Sequence, residues 1–146
     1  MNILKLDWHN DTQGSMVIAM DKFFPCAKAK MRKFLKLVDS SSCPQDLVEQ
    51  IVDFLHIQLL ELKSQAEQYS GDYFRHHQDV TDLSEIIESR RHPNGVPVRQ
   101  SELTELNRNL RQEKSDTNKA LRAFKHTKKM YEQCKMNIEV VEQNFE

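Results

Sequence analysis

One break, Arg90-Arg91-His92-Pro93-Asn94-Gly95-Val96-Pro97-Val98-Arg99, limits what this chain can fold into. Two prolines bracket an Asn-Gly pair there. Proline lacks a backbone donor and clashes with the preceding helical turn, so no regular helix passes through. The stretches on either side, Gln45 to His92 and Val98 to Glu146, contain no further proline. A turn between two long proline-free arms predicts a helical hairpin with its tip at residues 91–100.

Both arms carry the periodicity that such a hairpin needs. In the first, a seam runs Val48, Val52, Leu55, Leu59, Leu62, Ala66, Tyr69, Tyr73, His76, Val80, Leu83, Ile87. In the second it runs Leu103, Leu106, Leu110, Glu113, Thr117, Ala120, Phe124, Thr127, Tyr131, Cys134, Ile138, Val141, Phe145. Steps of three and four alternate throughout, a mean of about 3.5, which is a coiled-coil signal rather than that of an ordinary amphipathic helix. At about 1.5 Å per residue each arm would extend roughly 65–70 Å.

Folding the arms about Gly95 pairs residues whose numbers sum to about 190, and large then faces small, as interdigitating layers require. Phe124 comes opposite Ala66, Leu62 opposite Thr127 and Tyr69 opposite Ala120. The two polar seam members, His76 and Glu113, also fall opposite each other. A buried polar residue alone is costly, whereas a matched pair is tolerated and can fix register; the arithmetic places register to about one turn, so this pairing is an expectation. Charge favours the antiparallel arrangement: Asp46, Glu49, Asp53, Glu61 and Glu67 on arm one come beside Arg122, Lys125, Lys128, Lys129 and Lys135 on arm two. Gly71 is the weak point of arm one. A mid-helix glycine costs about 1 kcal/mol. A continuous arm is the favoured expectation, and a break into a three-helix bundle is the alternative.

At 146 residues, the chain has room for one domain. Residues 1–42 form an N-terminal segment and 43–146 the hairpin. Charged residues make up 29% and apolar ones 38%, a balance that suits exposed helices around a narrow core. No stretch approaches the roughly 20 apolar residues that span a bilayer, and the N-terminus lacks the signal-peptide pattern. Three scattered cysteines, Cys26, Cys43 and Cys134, without a Cys-x-x-Cys motif, fit a reducing compartment. The expectation is a cytoplasmic protein that does not engage membranes.

Ahead of the hairpin, residues 3–8 alternate Leu4, Leu6 and Trp8 against Lys5 and Asp7, and residues 16–20 are apolar and partly β-branched. The turn formers between them predict a small β-hairpin. After Phe23-Phe24-Pro25 a short amphipathic helix is expected to about Val38. It would have Pro25 in its first turn and an apolar stripe of Ala27, Met31, Phe34 and Val38. Its polar residues are all basic: Lys22, Lys28, Lys30, Arg32, Lys33 and Lys36. Six of the 21 basic residues lie there, leaving 15 against 22 acidic residues. This is the sharpest charge asymmetry in the chain. It can be neutralised internally, by Asp46, Glu49, Asp53, Glu139, Glu142 and Glu146, or it can face a partner. Ser42 and Pro44 mark the start of arm one.

Chemistry has few candidates. His76-His77-x-Asp79-x-x-Asp82 offers one same-face pair but no complete ligand set along the helix. Asp53 with His56, and His126 near Arg122 and Lys129, form no triad by spacing, and Cys134 sits on the seam as a small buried thiol would. Three unclustered glycines exclude a phosphate-binding loop. No catalytic residue, cofactor or metal site is therefore assigned. Arg90, Arg91 and Arg99 at the tip, with Arg108 and Arg111 beyond it, make a second basic patch.

The expected architecture is mainly α: a long antiparallel, coiled-coil-like helical hairpin with a small N-terminal β-hairpin and a short basic helix. The expected function is a non-catalytic protein–protein interaction module using Lys22, Lys28, Lys30, Arg32, Lys33, Lys36, Arg90, Arg91 and Arg99. Base rates for small motif-free chains suggest an inhibitor or adaptor of bacterial or phage type, for example one blocking a nucleic-acid-handling enzyme such as a CRISPR effector. Two rivals stand beside it. One is direct nucleic-acid binding by the same basic residues. The other is a structural homo-oligomer, possible as a dimer, through a second apolar stripe of Leu47, Ile51, Phe54 and Ile86.

Overall fold

The computed structural model describes residues 25–39 and 44–145. They form three helices, α1 (Lys28–Asp39), α2 (Pro44–Ser89) and α3 (Gln100–Phe145). Among the described residues there is no strand, and the one β-type pairing is an isolated bridge between Arg91 and Pro97. The β-hairpin expected at residues 3–20 lies outside the described residues, as do Lys22 and Ser42.

The helix boundaries follow local chemistry. Pro44 opens α2, where a missing N–H is no loss, and Asp46 sits in that first turn, where a carboxylate favours the helix dipole. α2 ends at Ser89 and is followed by Arg90 in the left-handed region, φ 59°. The Arg90 carbonyl accepts the Val98 N–H at 2.8 Å, and Ser89 Oγ accepts the Arg91 N–H at 3.2 Å. The turn closes with the Gly95 N–H on the His92 carbonyl and the Val96 N–H on Asn94 Oδ1. Gly95 takes φ 84°, a conformation that side chains resist, so the Asn-Gly pair sets the reversal. At the start of α3, Glu102 Oε1 accepts the Arg99 N–H at 3.4 Å, half of a capping box.

Helix α2 runs unbroken through Gly71. A Cβ built on Gly71 would meet nothing within 4 Å, so glycine there answers no packing demand. Gly71→Ala is expected to raise the unfolding free energy by about 0.5–1 kcal/mol, through unfolded-state entropy alone. Urea unfolding reads this as a higher midpoint at unchanged slope; a lower midpoint would mean that the glycine has a native-state role.

Two compact units divide the chain, Gln65–Thr127 and Met1–Ser64 with Lys128–Glu146. In the first, α2 and α3 pack as an antiparallel pair. Every seam position from Ala66 to Ile87 and from Leu103 to Thr127 is buried or half-buried, yet only Leu103, Ala120 and Thr127 are fully buried. Two helices can cover each other on one side only, which is why most of this seam stays half-exposed. His76 Nδ1 lies 2.7 Å from Glu113 Oε2, which places the two polar seam members together and sets the register.

In the second unit a third helix closes the core. Met31, Phe34 and Leu35 of α1 pack with Leu47, Ile51, Leu55 and Leu62 of α2 and with Cys134, Ile138, Val140 and Val141 of α3. Burial of each large side chain contributes about 1.5–3 kcal/mol. Leu47 and Ile51, the first half of the supposed second stripe, are spent here within the chain itself.

Two expectations for α1 need correction. Ala27 is exposed and Leu35 is buried, so the apolar face is Met31, Phe34 and Leu35 together with Cys26 just outside the helix. Pro25 precedes the helix instead of sitting in its first turn; the first helical bond is the Met31 N–H on the Ala27 carbonyl, at 3.0 Å. The cause is tertiary. Asn137, fully buried, accepts the Cys26 N–H on Oδ1 at 3.1 Å and donates Nδ2 to the Cys26 carbonyl at 2.9 Å. A side-chain amide thus satisfies both backbone groups of Cys26 and holds that residue out of the helix.

Candidate interaction surfaces

At about 100° per residue, the buried face of α1 leaves the opposite arc for its basic residues. Lys28, Lys30, Arg32, Lys33 and Lys36 all lie on that arc and are all exposed. Their backbone is anchored by the core beneath and by the Asn137 clasp ahead of the helix. Among the described residues, which do not include Glu146, the internal counter-charges do not engage them. Asp46, Glu49, Asp53, Glu139 and Glu142 are themselves exposed, and among the described residues none makes an ion pair with a cation of α1. The acidic and basic runs of the two arms are likewise exposed and form no ion pairs within either unit. Those positions point to solvent, where long side chains gain little by being held in one geometry.

The tip is a separate surface in the other unit. Arg90, Arg91 and Arg99 are exposed there. Arg91 Nη1 donates to the Gly95 carbonyl at 3.2 Å, so this guanidinium braces the turn as well as facing outward. His92 Nε2 lies 2.7 Å from Glu102 Oε2, the same carboxylate that caps α3 through its other oxygen. Arg90 occupies a left-handed position at the helix end where glycine is the ordinary choice.

No family model, curated protein or solved structure matches the chain. Among the described residues no helix is long and apolar enough to cross a membrane.

Several groups that matter were not singled out from the sequence. Asn137 sits among exposed and core positions of α3 with no local pattern to mark it. His92 and Glu102 are ten apart across a turn, and the only local signal that could have marked Glu102 is its place three residues after Arg99, where a capping carboxylate would sit. Ile57 and Leu60, three apart on α2, are exposed at 60% and 68%, as is Phe74 in the other unit, whose neighbour Tyr73 stacks on His77 at 5.7 Å.

The two described cysteines are structural. Burial pushes both thiols up from 9.0 to about 11, in Cys26 against the opposing pull of the Lys30 ammonium. Cys134 Sγ donates to the Leu55 carbonyl at 3.3 Å, a bond that requires the protonated thiol. Because each thiol ionises later in the folded state than in the unfolded chain, its contribution to stability is intact below pH 9 and is lost as pH rises from there through about 11. At about pH 8, iodoacetamide should label Cys26 and Cys134 only as the protein opens. Mapping by mass spectrometry checks this, and labelling at the rate of the unfolded chain would contradict it.

Proposed function

We propose that the chain is a non-catalytic interaction module that docks on an acidic protein surface through the basic face of α1. One observation carries the reading: five cations lie exposed on a single anchored helix, and no carboxylate among the described residues pairs with any of them. Anchoring the backbone beforehand lowers the ordering cost of association, and unpaired cations pay no penalty for breaking internal bridges on binding. An adaptor or inhibitor of phage or bacterial type fits such a surface. A basic helix does not complement the basic cleft of a nucleic-acid-handling enzyme, so an inhibitor of that kind would use α1 on an acidic region away from the cleft.

Direct binding of nucleic acid is the second reading, favoured by the same free cations. Salt separates the two. Each phosphate neutralised contributes about −0.9 to the slope of log affinity against log salt, so about four contacts would weaken duplex binding roughly 100-fold between low and physiological salt. Fluorescence anisotropy of a poly-glutamate peptide and of a duplex DNA against the full chain, at both salt levels, is the experiment. The wild type should bind the peptide and the K30E/K33E variant should not. Equal binding by the variant, or none by either, overturns the reading, and tighter, steeply salt-dependent DNA binding establishes the alternative.

A further inference from the structure

We infer that His76, Glu113 and Asp116 form a site for one divalent transition-metal cation of the zinc class, tying α2 to α3 within the Gln65–Thr127 unit. One imidazole nitrogen and one oxygen from each carboxylate all lie within 4.8 Å of one another. A tetrahedral site with ligand distances of about 2.0–2.2 Å spaces its ligand atoms about 3.3–3.6 Å apart, so on binding the His76–Glu113 pair would open from 2.7 Å to admit the ion. All three residues are half-buried, and they come from facing helices.

Register alone does not account for the third residue. The His76–Glu113 pair, at 2.7 Å, is enough to align the helices. Asp116 then brings a second carboxylate to the same spot, one turn along α3 from Glu113. Among the described residues, no lysine or arginine forms an ion pair with either carboxylate. A dication bound between them would take one ligand atom from each of the three side chains. The imidazole selects the metal class: calcium and magnesium favour all-oxygen shells, whereas nitrogen with carboxylate oxygen suits zinc and its neighbours. Around this set, the Gln112 amide donates to Asp116 Oδ1 at 3.0 Å and orients that carboxylate.

Beside Glu113 a surface groove of about 340 Å³ is lined by Asp79, Asp82, Leu83, Asn109, Gln112 and Glu113, with no basic side chain among them. It offers a hydrated cation an approach of favourable sign and leaves room for water as the remaining ligand. On binding, the imidazole nitrogen that faces Glu113 gives up its proton, to the other ring nitrogen or to solvent, and directs its lone pair to the metal. The site belongs to the Gln65–Thr127 unit and does not depend on the reading of α1.

The test is calorimetric titration of the reduced full chain with zinc alone, with cobalt(II) as the spectroscopic probe. One equivalent should bind, and cobalt should give d–d bands of low coordination number without a thiolate charge-transfer band. Asp116→Asn should weaken zinc binding by at least about tenfold while leaving the metal-free unfolding midpoint unchanged, and Glu113→Gln should weaken it similarly. Zinc should also raise the unfolding midpoint of the wild type and not of the Asp116→Asn variant. Equal affinity in wild type and Asp116→Asn, a thiolate band, or no saturable binding would each overturn the site.

Discussion

Phe34→Ala should lower the unfolding free energy by about 3–5 kcal/mol, the range for truncating a buried aromatic in a packed core. Phe34 is 1% exposed and is among the largest fully buried side chains of the protein, in the layer where α1 meets α2 and α3. Its loss removes transfer energy and leaves a cavity that Met31, Ile51 and Val141, each exposed by 1% or less, can fill only in part. The effect should be local before it is global. α1 is short, and a 12-residue helix is marginal without its packing partners. Hydrogen exchange of the α1 amides should accelerate at denaturant concentrations where the Gln65–Thr127 unit is still protected. Phe74→Ala is the control, since Phe74 is 66% exposed and its truncation should cost no more than about 0.5 kcal/mol. Equal losses from the two substitutions would mean that α1 does not dock as described.

Asn137→Ala carries the second large effect, about 2–4 kcal/mol. Two hydrogen bonds disappear, each contributing about 1 kcal/mol net, and the N–H and carbonyl of Cys26 are left without partners beside a buried core. Leucine at this position would fill the space and still strand both groups, so it should not restore stability. Aspartate is the sharper test of geometry. It keeps the acceptor for the Cys26 N–H, loses the donor to the Cys26 carbonyl, and adds a charge at a site with no exposure, so Asn137→Asp should cost more than Asn137→Ala at neutral pH. Urea unfolding of the three variants ranks them, and exchange at the Cys26 amide reports the clasp directly. A loss below about 0.5 kcal/mol for Asn137→Ala would show that water satisfies Cys26 as well as Asn137 does.

The candidate surfaces were only partly legible in the sequence. The basic run of α1 was plain, because charge is a property of composition and a helix carries it wherever it docks. Whether those cations were free was not, since Asp46, Glu49, Asp53, Glu139 and Glu142 were equally plain candidates to neutralise them, and only the fold shows each of these acids turned to solvent. The His76, Glu113 and Asp116 set was missed for a reason of distance. Along α2 from His76 the nearest carboxylate by spacing is Asp79, three residues on, whereas Glu113, in contact with the imidazole, and Asp116, within 4.8 Å of it, are 37 and 40 positions away on α3. Pairing His76 with Glu113 was within reach of the seam arithmetic; adding Asp116 required the face of α3 in three dimensions.

The sequence by itself determined the helical character of both arms and the turn between α2 and α3, while the continuity of α2 through Gly71 was decided by the structure. Two prolines and an Asn-Gly pair leave the backbone one way to behave there, and an unbroken alternation of three and four commits both flanking stretches to a single helical face. The seam arithmetic placed register to within about one turn, and the contact of His76 Nδ1 with Glu113 Oε2 at 2.7 Å fixed it. Tertiary structure alone decided where α1 begins, which of its faces is buried and what covers Leu47 and Ile51. A helix of 12 residues has too few turns for its own pattern to separate Ala27 from Leu35, and the choice falls to the surface that it meets. The Asn137 amide on the Cys26 backbone, joining residues 111 apart, belongs to the same class. Such a bond has no local signature, because it answers a need for satisfied polar groups that exists only once the core has closed around them.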